Sequence, residues 1–335
     1  MTIRAPIAAT FGWHVRDDLE ERIIAKKKIR GQTYFKVISV KTELIHGDCL
    51  EVLKTFPDNS FDLIVTSPPY ADQRNKTYGG IKPDRYVAWF VSRSAEFLRV
   101  LKPTGSFVLN IKEKAENGER HVYVLELILA LRQQGWLWTE EYIWHKKNCH
   151  PGKWPNRFRD AWERCLQFNK SRHFKMFQDA VMVPMGDWRH ARLRNLSETD
   201  KRRDDSKVQS GFGKRISNWI GREMAYPSNV LHFATECGNK KHSATFPKTL
   251  PEWFIKLYTE PGDWVLDPFM GSGTTNIVAE KLARNSVGID ALEEYIALAQ
   301  RYLAEEKIHG SSTRNGHSKG RKKEPNEQLS LGKFD

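Results

Sequence analysis

Short apolar segments alternate with amphipathic segments along most of the chain, and this alternation restricts the possible folds more than any other feature. Phe61–Val65 and Ser106–Ile111 have the length and composition of buried strands, whereas Asp84–Leu101 and Val122–Gln134 carry apolar residues at helical spacing. Buried strands separated by helices are typical of a parallel sheet covered on both faces. We therefore predict a doubly wound α/β fold. The same pattern predicts strands at Leu137–Trp144, Trp264–Leu266 and Ser286–Ile289, and helices at Cys49–Phe56, Leu250–Thr259, Asn276–Arg284 and Glu293–Glu305.

The alternation stops in the middle of the chain, which divides the sequence into five regions. Residues 1–40 form an N-terminal extension, in which the charged run Asp17–Lys28 is predicted to be an amphipathic helix. The strand–helix pattern occupies residues 41–145 and 236–305, and a basic segment separates the two parts. Residues 306–335 are rich in Ser, Gly, Lys and Asn, so we predict a disordered tail there.

The positive charge is concentrated in that basic segment, residues 146–235. The whole chain of 335 residues has a net charge of +13, and 19 Lys and Arg against 8 Asp and Glu lie between Lys146 and Arg222. A nearly neutral body with one basic insert favours a polyanionic partner, although a solvated basic face without a partner gives the same composition. The candidate contacts are Arg189, Arg192, Arg194, Arg202, Arg203, Lys207, Lys214 and Arg215.

Cysteine usage and hydropathy indicate an intracellular protein without a membrane span. The cysteines Cys49, Cys149, Cys165 and Cys237 are far apart and form no CxxC pair, which argues against a disulfide framework or a cysteine-based zinc site. His145, His150 and Cys149 lie close in sequence, but their spacing does not match a metal site, so we expect no metal. We find no run of about 18 apolar residues and no apolar leader with a cleavage site.

A glycine-rich turn, Asp267–Thr275, lies between a predicted strand and a predicted helix. In open α/β sheets ligands bind at the carboxyl ends of the strands, where glycines allow close approach and the next helix offers free N–H groups. The turn lacks the lysine of a phosphate loop and the third glycine of a dinucleotide fingerprint. Asp290 ends the next predicted strand and Asp48 follows an earlier one, which favours a nucleoside ligand. An ordinary strand–helix turn remains the alternative.

Ser67-Pro68-Pro69-Tyr70 directly follows the apolar strand Phe61–Val65. Two prolines fix the backbone and remove two N–H donors, so the carbonyls nearby are rigid acceptors. Acceptors beside an aromatic face suit an exocyclic amino group on a stacked base. The alternative is a proline-rich turn with a packed tyrosine.

The two motifs, in this order, resemble those of the beta-type DNA amino-methyltransferases, which use S-adenosylmethionine. The resemblance covers residues 41–304. It implies a Rossmann-like methyltransferase fold with circularly permuted motif order, and a target-recognition role for the basic segment at 146–235. It also implies that Asp290 binds the ribose, that Asp48 contacts the adenine and that Thr274 holds the methionine end. The other implied cofactor-binding residues are Phe246, Asp267, Phe269, Gly271 and Gly273.

The resemblance further implies methylation of a flipped-out base in double-stranded DNA. Ser67, Pro68, Pro69 and Tyr70 are the implied catalytic residues, with Ser67 Oγ and the Pro68 carbonyl accepting from the amine and Tyr70 stacking on the base. A carbon-5 cytosine mechanism needs a cysteine after a proline, and this chain has none. Family members with serine before the proline pair mostly methylate cytosine N4, so we expect that target, with adenine N6 as the alternative.

Several further possibilities follow from the sequence. An RNA methyltransferase and a catalytically silent DNA-binding module are the competing functional classes. Within the resemblance, we expect a matching restriction endonuclease and a location in the cytoplasm of a bacterium or of a phage-infected cell. Near the end of the tail, Gln328-Leu329-Ser330-Leu331 and Phe334 faintly resemble a sliding-clamp-binding peptide.

Overall fold

A computed structural model of the chain describes residues 21–29, 32–72, 80–149, 152, 155–186, 197, 220–235 and 246–312. The strands are β1 Glu21–Ile29, β2 Gln32–Val40, β3 Thr42–His46, β4 Phe61–Thr66, β5 Leu101–Ile111, β6 Ala115–Glu116, β7 Glu119–Arg120, β8 Leu137–Lys146, β9 Trp162–Asn169, β10 Val183–Pro184, β11 Met224–Ala225, β12 Val230–Phe233, β13 Trp264–Asp267 and β14 Asn285–Asp290. The α-helices are α1 Cys49–Leu53, α2 Pro83–Val100, α3 Tyr123–Gln133, α4 Thr249–Tyr258, α5 Thr274–Lys281 and α6 Glu293–Ser312.

Eight strands form the main sheet, in the order β12-β8-β9-β5-β4-β13-β14-β3. Every neighbouring pair is parallel except those that contain β9, which runs antiparallel to both β5 and β8. The winding direction reverses between β4 and β13, because β5 and β8 extend the sheet to one side and β14 and β3 to the other. In open α/β sheets, such a reversal creates a crevice at the carboxyl ends of the strands.

Helices cover both faces of this sheet, and each face has its own apolar core. On one face, Phe90 and Phe97 of α2 and Leu127 of α3 pack with Phe107 of β5. On the other face, α4 and α5 cover the strands and bury side chains such as Phe254. The predicted doubly wound α/β fold is therefore confirmed. Among the described residues, no helix is long and apolar enough to cross a membrane.

The predicted helix at Asp17–Lys28 is wrong. Where the structure describes this segment, Glu21–Ile29 forms β1, which pairs with β2 along its whole length. Intrinsic helix propensity is a weak tendency that pairing with a neighbouring strand readily overrides. The segment Gln32–Val40 is rich in β-branched and aromatic residues, which favour strands.

The helix α2 ends at Val100, but β5 begins directly at Leu101 and not at Ser106 as predicted, so it includes Lys102–Gly105. The pairing of β5 with β4 changes register between Phe61 and Leu63, opposite the segment Lys102–Gly105. A bulge of this kind accommodates a proline that cannot donate to the ladder. Pro103 and Gly105, which disfavour a helix, are therefore accommodated within β5.

Structure also continues beyond two predicted boundaries. The basic segment 146–235 contributes β9 and β12 to the main sheet, and neither strand was predicted. Helix α6 continues to Ser312, so the predicted disordered tail does not begin at residue 306. Glu306 forms ion pairs with Lys248 and Lys281, which fasten this part of α6 to the domain.

Candidate active site

The two sequence motifs meet at one edge of the main sheet. Ser67 follows β4, Asp267 ends β13, Asp290 ends β14 and Asp48 lies two residues after β3. These four strands are adjacent and parallel, so their carboxyl ends share an edge. The candidate catalytic residue Ser67 and the candidate cofactor-binding residues Asp48, Asp267 and Asp290 therefore lie at one crevice.

Asp267 connects the two motifs through hydrogen bonds. Its carboxylate accepts from Thr66 Oγ1 at 2.6 Å and from Thr275 Oγ1 at 2.6 Å. The Phe269 N–H, at 3.2 Å, is a third donor. Burial raises the pKa of Asp267 to about 6 although these three donors favour the charged form. The side chain therefore holds the end of β4, the glycine-rich turn and the start of α5 together.

The glycine-rich turn has the backbone that its composition predicts. Gly271 and Gly273 have φ values of 52° and 77°, the left-handed region that favours glycine. Gly273 precedes the first residue of α5, and no side chain among the described residues caps the N–H groups of that helix start. A Cβ at Gly273 would lie 2.8 Å from Ala299 Cβ, so the turn also packs closely against α6.

Asp290 supports the turn from the neighbouring strand end. Its carboxylate accepts from Gly271 N at 2.9 Å and from Leu292 N at 3.0 Å. Burial raises the pKa of Asp290, and its backbone donors counteract that rise. This carboxylate therefore fixes the turn in addition to any contact with a ligand.

Asp48 lies beside an aromatic pair at the outer side of the crevice. It caps α1 by accepting from Leu50 N at 2.9 Å, and its other oxygen pairs with Arg93 at 2.6 Å. The Arg93 guanidinium lies 4.4 Å from the ring centre of Trp89, whose ring is 5.6 Å from that of Phe269. An aromatic face next to a carboxylate suits a nucleobase with an amino group.

The turn and its surroundings fit a nucleoside cofactor. The left-handed glycines let a ligand approach the backbone, and the uncapped start of α5 offers N–H donors. Acidic side chains end or follow the two adjacent strands β14 and β3. No lysine lies in the turn Asp267–Thr275, so the donor set is unlike a triphosphate site.

The Ser67-Pro68-Pro69-Tyr70 segment forms a polar corner at the end of β4. Pro68 is buried, and the other three residues are half-buried. Ser67 Oγ donates to the Tyr70 hydroxyl at 3.3 Å, and the Tyr70 hydroxyl donates to Glu163 Oε2 at 2.8 Å. Burial and the nearby Glu163 charge raise the pKa of Tyr70 well above its usual range.

Glu163 is a residue of this corner that the sequence analysis missed. It is only 8% exposed and lies on β9, where Lys146 Nζ of β8 pairs with its Oε1 at 2.5 Å. Asn110 Nδ2 of β5 donates to its Oε2 at 3.2 Å. The alternation of Leu166 and Phe168, which pack in one core, is the sequence signal that identifies this strand.

Phe246 lies between the two motifs. It lines a small cavity with Val65, Thr66, Val108, Asn110, Leu250, Pro251 and Phe254. Thr66 belongs to the link with Asp267, and Asn110 belongs to the polar corner. The position of Phe246 is therefore compatible with packing over a ligand that spans the crevice.

The predicted DNA-contacting residues Arg189, Arg192, Arg194, Arg202, Arg203, Lys207, Lys214 and Arg215 lie outside the described residues. Among the cysteine–histidine group considered for metal, His145 is described and forms a hydrogen bond with His232 of β12, Nδ1 to Nδ1 at 3.0 Å. The described residues contain no group of three or more His, Cys, Asp or Glu side chains suited to a metal ion.

Comparison with known families matches residues 61–301 to N6_N4_Mtase, described as DNA methylase. This match spans more than half of the chain. The protein therefore belongs to the N6/N4 DNA methylase family, as the sequence motifs predicted.

Individual relatives show which DNA methyltransferases this chain is similar to. The chain is 34% identical to the type II methyltransferase M.PvuII of Proteus hauseri, over 78% of this chain and 85% of the relative. It is 30% identical to M.BglII of Bacillus subtilis, over 79% and 69%. A solved structure of the PvuII DNA methyltransferase, described as cytosine-N4-specific, superposes with a TM-score of 0.60 at 28% identity, covering 82% of this chain and 92% of that one. The M1.HpyAVI–SAM complex, at 22% identity, a TM-score of 0.51 and coverage of 78% and 98%, shares the fold.

Proposed function

We propose that this protein transfers a methyl group from S-adenosylmethionine to the N4 amino group of cytosine in double-stranded DNA. The observation that carries the proposal is the junction of the Ser67–Tyr70 corner with the glycine-rich turn through Thr66 and Asp267. The similarity to the cytosine-N4-specific PvuII enzyme supports the target atom.

The glycine-rich turn and the adjacent strand ends are the proposed cofactor site. When bound, S-adenosylmethionine supplies an electrophilic methyl group on a sulfonium sulfur. Phe269 and Asp48 would hold the adenine, Asp290 the ribose, and the turn around Gly271 with Thr274 the methionine end. Asp267 keeps this turn against β4, which fixes the distance between the two halves of the crevice.

The Ser67–Tyr70 corner is the proposed base pocket. An aromatic amine is a poor nucleophile because its lone pair is delocalised into the ring. Ser67 Oγ donates to Tyr70, which leaves its lone pairs directed elsewhere to accept from the amine. Acceptance by Ser67 and by the Pro68 carbonyl favours a pyramidal nitrogen with an available lone pair. The target is buried in the duplex, so it has to be flipped out before it can stack on Tyr70.

We further propose a place in a restriction–modification system. Methylation of a recognition site would protect the DNA from a partner endonuclease, and the protein would act in the bacterial cytoplasm or in a phage-infected cell. The basic residues between Arg189 and Arg215 would contact phosphates and base edges of the duplex.

Digestion of methylated DNA to nucleosides, followed by mass spectrometry, tests the proposal. Purified protein incubated with labelled S-adenosylmethionine and duplex DNA should yield N4-methylcytosine, and RNA should remain unlabelled. N6-methyladenine would change the target base but retain the enzyme class. Absence of methyl transfer to any duplex DNA, including genomic DNA that offers all sequences, would contradict the proposal.

A further inference from the structure

Glu163 contacts Tyr70 in the base pocket, and methyl transfer by Ser67, Pro68 and Tyr70 leaves it without a role. Methylation of an exocyclic amine forms a carbon–nitrogen bond and breaks the carbon–sulfur bond, and the nitrogen then carries positive charge. A neutral product requires that this nitrogen lose one proton. Given the proposed function, on which this proposal rests, the base pocket has to provide a route for that proton.

The polar corner contains a chain of hydroxyl groups that ends at Glu163. Ser67 Oγ donates to the Tyr70 hydroxyl, and the Tyr70 hydroxyl donates to Glu163 Oε2. Both O–H bonds therefore point from the base pocket toward the carboxylate. This is the order in which a proton that enters at Ser67 leaves through Tyr70.

The hydrogen bonds around Glu163 are those of a carboxylate that accepts hydrogen bonds and can take up a proton. Tyr70 and Asn110 both donate to Oε2, and Lys146 pairs with Oε1. An ionised carboxylate is an acceptor only, so these three donors are all satisfied. The side chain is largely shielded from solvent, which makes direct proton loss from this corner to bulk water harder.

We infer that Glu163 is the positioning residue that receives the amine proton through Ser67 and Tyr70. The amine gives its proton to Ser67 Oγ, Ser67 gives its own to the Tyr70 oxygen, and Tyr70 gives its own to Glu163 Oε2. Both hydroxyl groups are regenerated, Glu163 becomes neutral, and the methylated amine is uncharged. Glu163 later releases the proton to solvent beside Lys146.

Among the described residues, the groups that set the charge around Glu163 come from several elements. Tyr70 approaches from the end of β4, Asn110 from β5 and Lys146 from β8, while Cys165 follows two positions along β9. The charge of Glu163 also contributes to the raised pKa of the Tyr123 phenol on α3, for which burial is the main cause. Arg164 turns to the opposite side, where it pairs with Glu141.

Single-turnover kinetics across pH 6 to 9 test this inference. The variants are Glu163→Gln, Tyr70→Phe and their combination. Each single variant should lower the transfer rate at neutral pH about a hundredfold, the scale of lost acid–base assistance. The double variant should be no slower than either single one, because both interrupt one chain. Loss of the acceptor leaves solvent hydroxide to remove the proton, so the variant rates should rise nearly tenfold per pH unit.

Two measurements other than rate accompany the kinetics. Calorimetry should give affinities for S-adenosylmethionine and for duplex DNA within about threefold of the wild-type values. Difference infrared spectra over one turnover should show a carboxylic acid band that Glu163→Gln lacks. Glu280→Gln is the matched control, since Glu280 is also buried, accepts from Thr42 and pairs with Lys307 away from the pocket.

The outcomes separate this inference from the proposed function. A wild-type protein that methylates no DNA overturns the proposed function. A wild-type protein that methylates cytosine N4, with Glu163→Gln and Tyr70→Phe as fast as wild type or slower by the same factor at every pH, overturns only the proton route. If Glu163→Gln does not fold, Tyr70→Phe decides alone, because it interrupts the chain and leaves the carboxylate in place.

Discussion

Thr66 Oγ1 donates a hydrogen bond to Asp267 Oδ1 across 2.6 Å, which joins residues 201 positions apart in sequence. Thr66 precedes the Ser67–Tyr70 corner and Asp267 begins the glycine-rich turn. The pair therefore sets the separation between the base pocket and the cofactor turn. Positioning of two reactants in this way lowers the barrier to transfer between them.

Replacement of Thr66 by valine tests this link. Thr66→Val removes one hydrogen bond to the buried Asp267 carboxylate with little change of shape and leaves Oδ1 with the Phe269 N–H as its donor. We expect a loss of stability of about 1–3 kcal/mol and a fall in transfer rate larger than the fall in cofactor affinity. Thermal unfolding, calorimetry and single-turnover rates measure the three effects. The control Thr55→Val removes an exposed hydroxyl that bonds to Val52 O within its own turn, and equal effects of the two variants would contradict the link.

The pH dependence of stability should distinguish two buried carboxylates. The pKa of folded Asp267 is about 6, above its ordinary value of 3.8. Between these values the folded state binds more protons than the unfolded state, so this group's contribution to stability falls as pH rises. Asp267→Asn should remove that fall, a difference of roughly 2 kcal/mol between pH 4 and pH 7. Urea unfolding of both proteins at each pH measures it.

Asp62 is the control, because its pKa is shifted in the opposite direction to that of Asp267. Burial acts to raise its pKa, but hydrogen bonds from Lys102, Trp264 N–H and Lys175 outweigh burial and lower the pKa. Its contribution is present at neutral pH and is lost as pH falls through the lowered folded-state pKa. Asp62→Asn should therefore reduce stability at neutral pH and reduce its loss in acid. If Asp267→Asn shows that same pattern, the raised pKa of Asp267 is wrong.

Substitutions in the proline-pair corner should separate chemistry from cofactor binding. Ser67→Ala removes the side-chain acceptor proposed for the amine, and Tyr70→Ala removes the stacking face as well as the hydroxyl. We expect each to reduce turnover about a hundredfold, the scale for one positioned polar group in a shielded site. Calorimetry should show nearly unchanged affinity for S-adenosylmethionine. Wild-type rates in either variant would refute the base-pocket assignment.

Asp267→Ala should reduce cofactor affinity, in contrast to the substitutions at Ser67 and Tyr70. It removes the anchor of the glycine-rich turn, so we expect weaker cofactor binding by calorimetry, and unchanged affinity would refute that role.

The sequence predicts the meeting of the two motifs but not the full polar corner. Ser67 and Asp267 each follow an apolar strand, and parallel strands end at a common edge, so their proximity follows from pattern alone. Glu163 reaches the same edge from the start of β9, because β9 is antiparallel. Its segment contains Arg164 and Gln167 and lies among basic residues, so the short alternation of Leu166 and Phe168 is all that distinguishes it from a loop. The Arg93–Asp48 pair joins α2 to α1, a contact that only tertiary packing defines.

Replacement of Gly273 should destabilise the protein for two reasons, its left-handed backbone and its close packing against α6. Gly273→Ala would force a left-handed backbone on alanine and place its Cβ 2.8 Å from Ala299 Cβ. Gly262→Ala is a strain-only control, since Gly262 has a φ of 93° and an added Cβ would have no atom of the described residues within 4 Å. We expect Gly262→Ala to cost about 1–2 kcal/mol and to keep cofactor affinity. Gly273→Ala should cost more and weaken cofactor binding, and adding Ala299→Gly should restore part of both by removing the clash. Thermal unfolding and calorimetry measure these effects, and equal behaviour of Gly273→Ala with and without Ala299→Gly would show that the contact with α6 does not shape the turn.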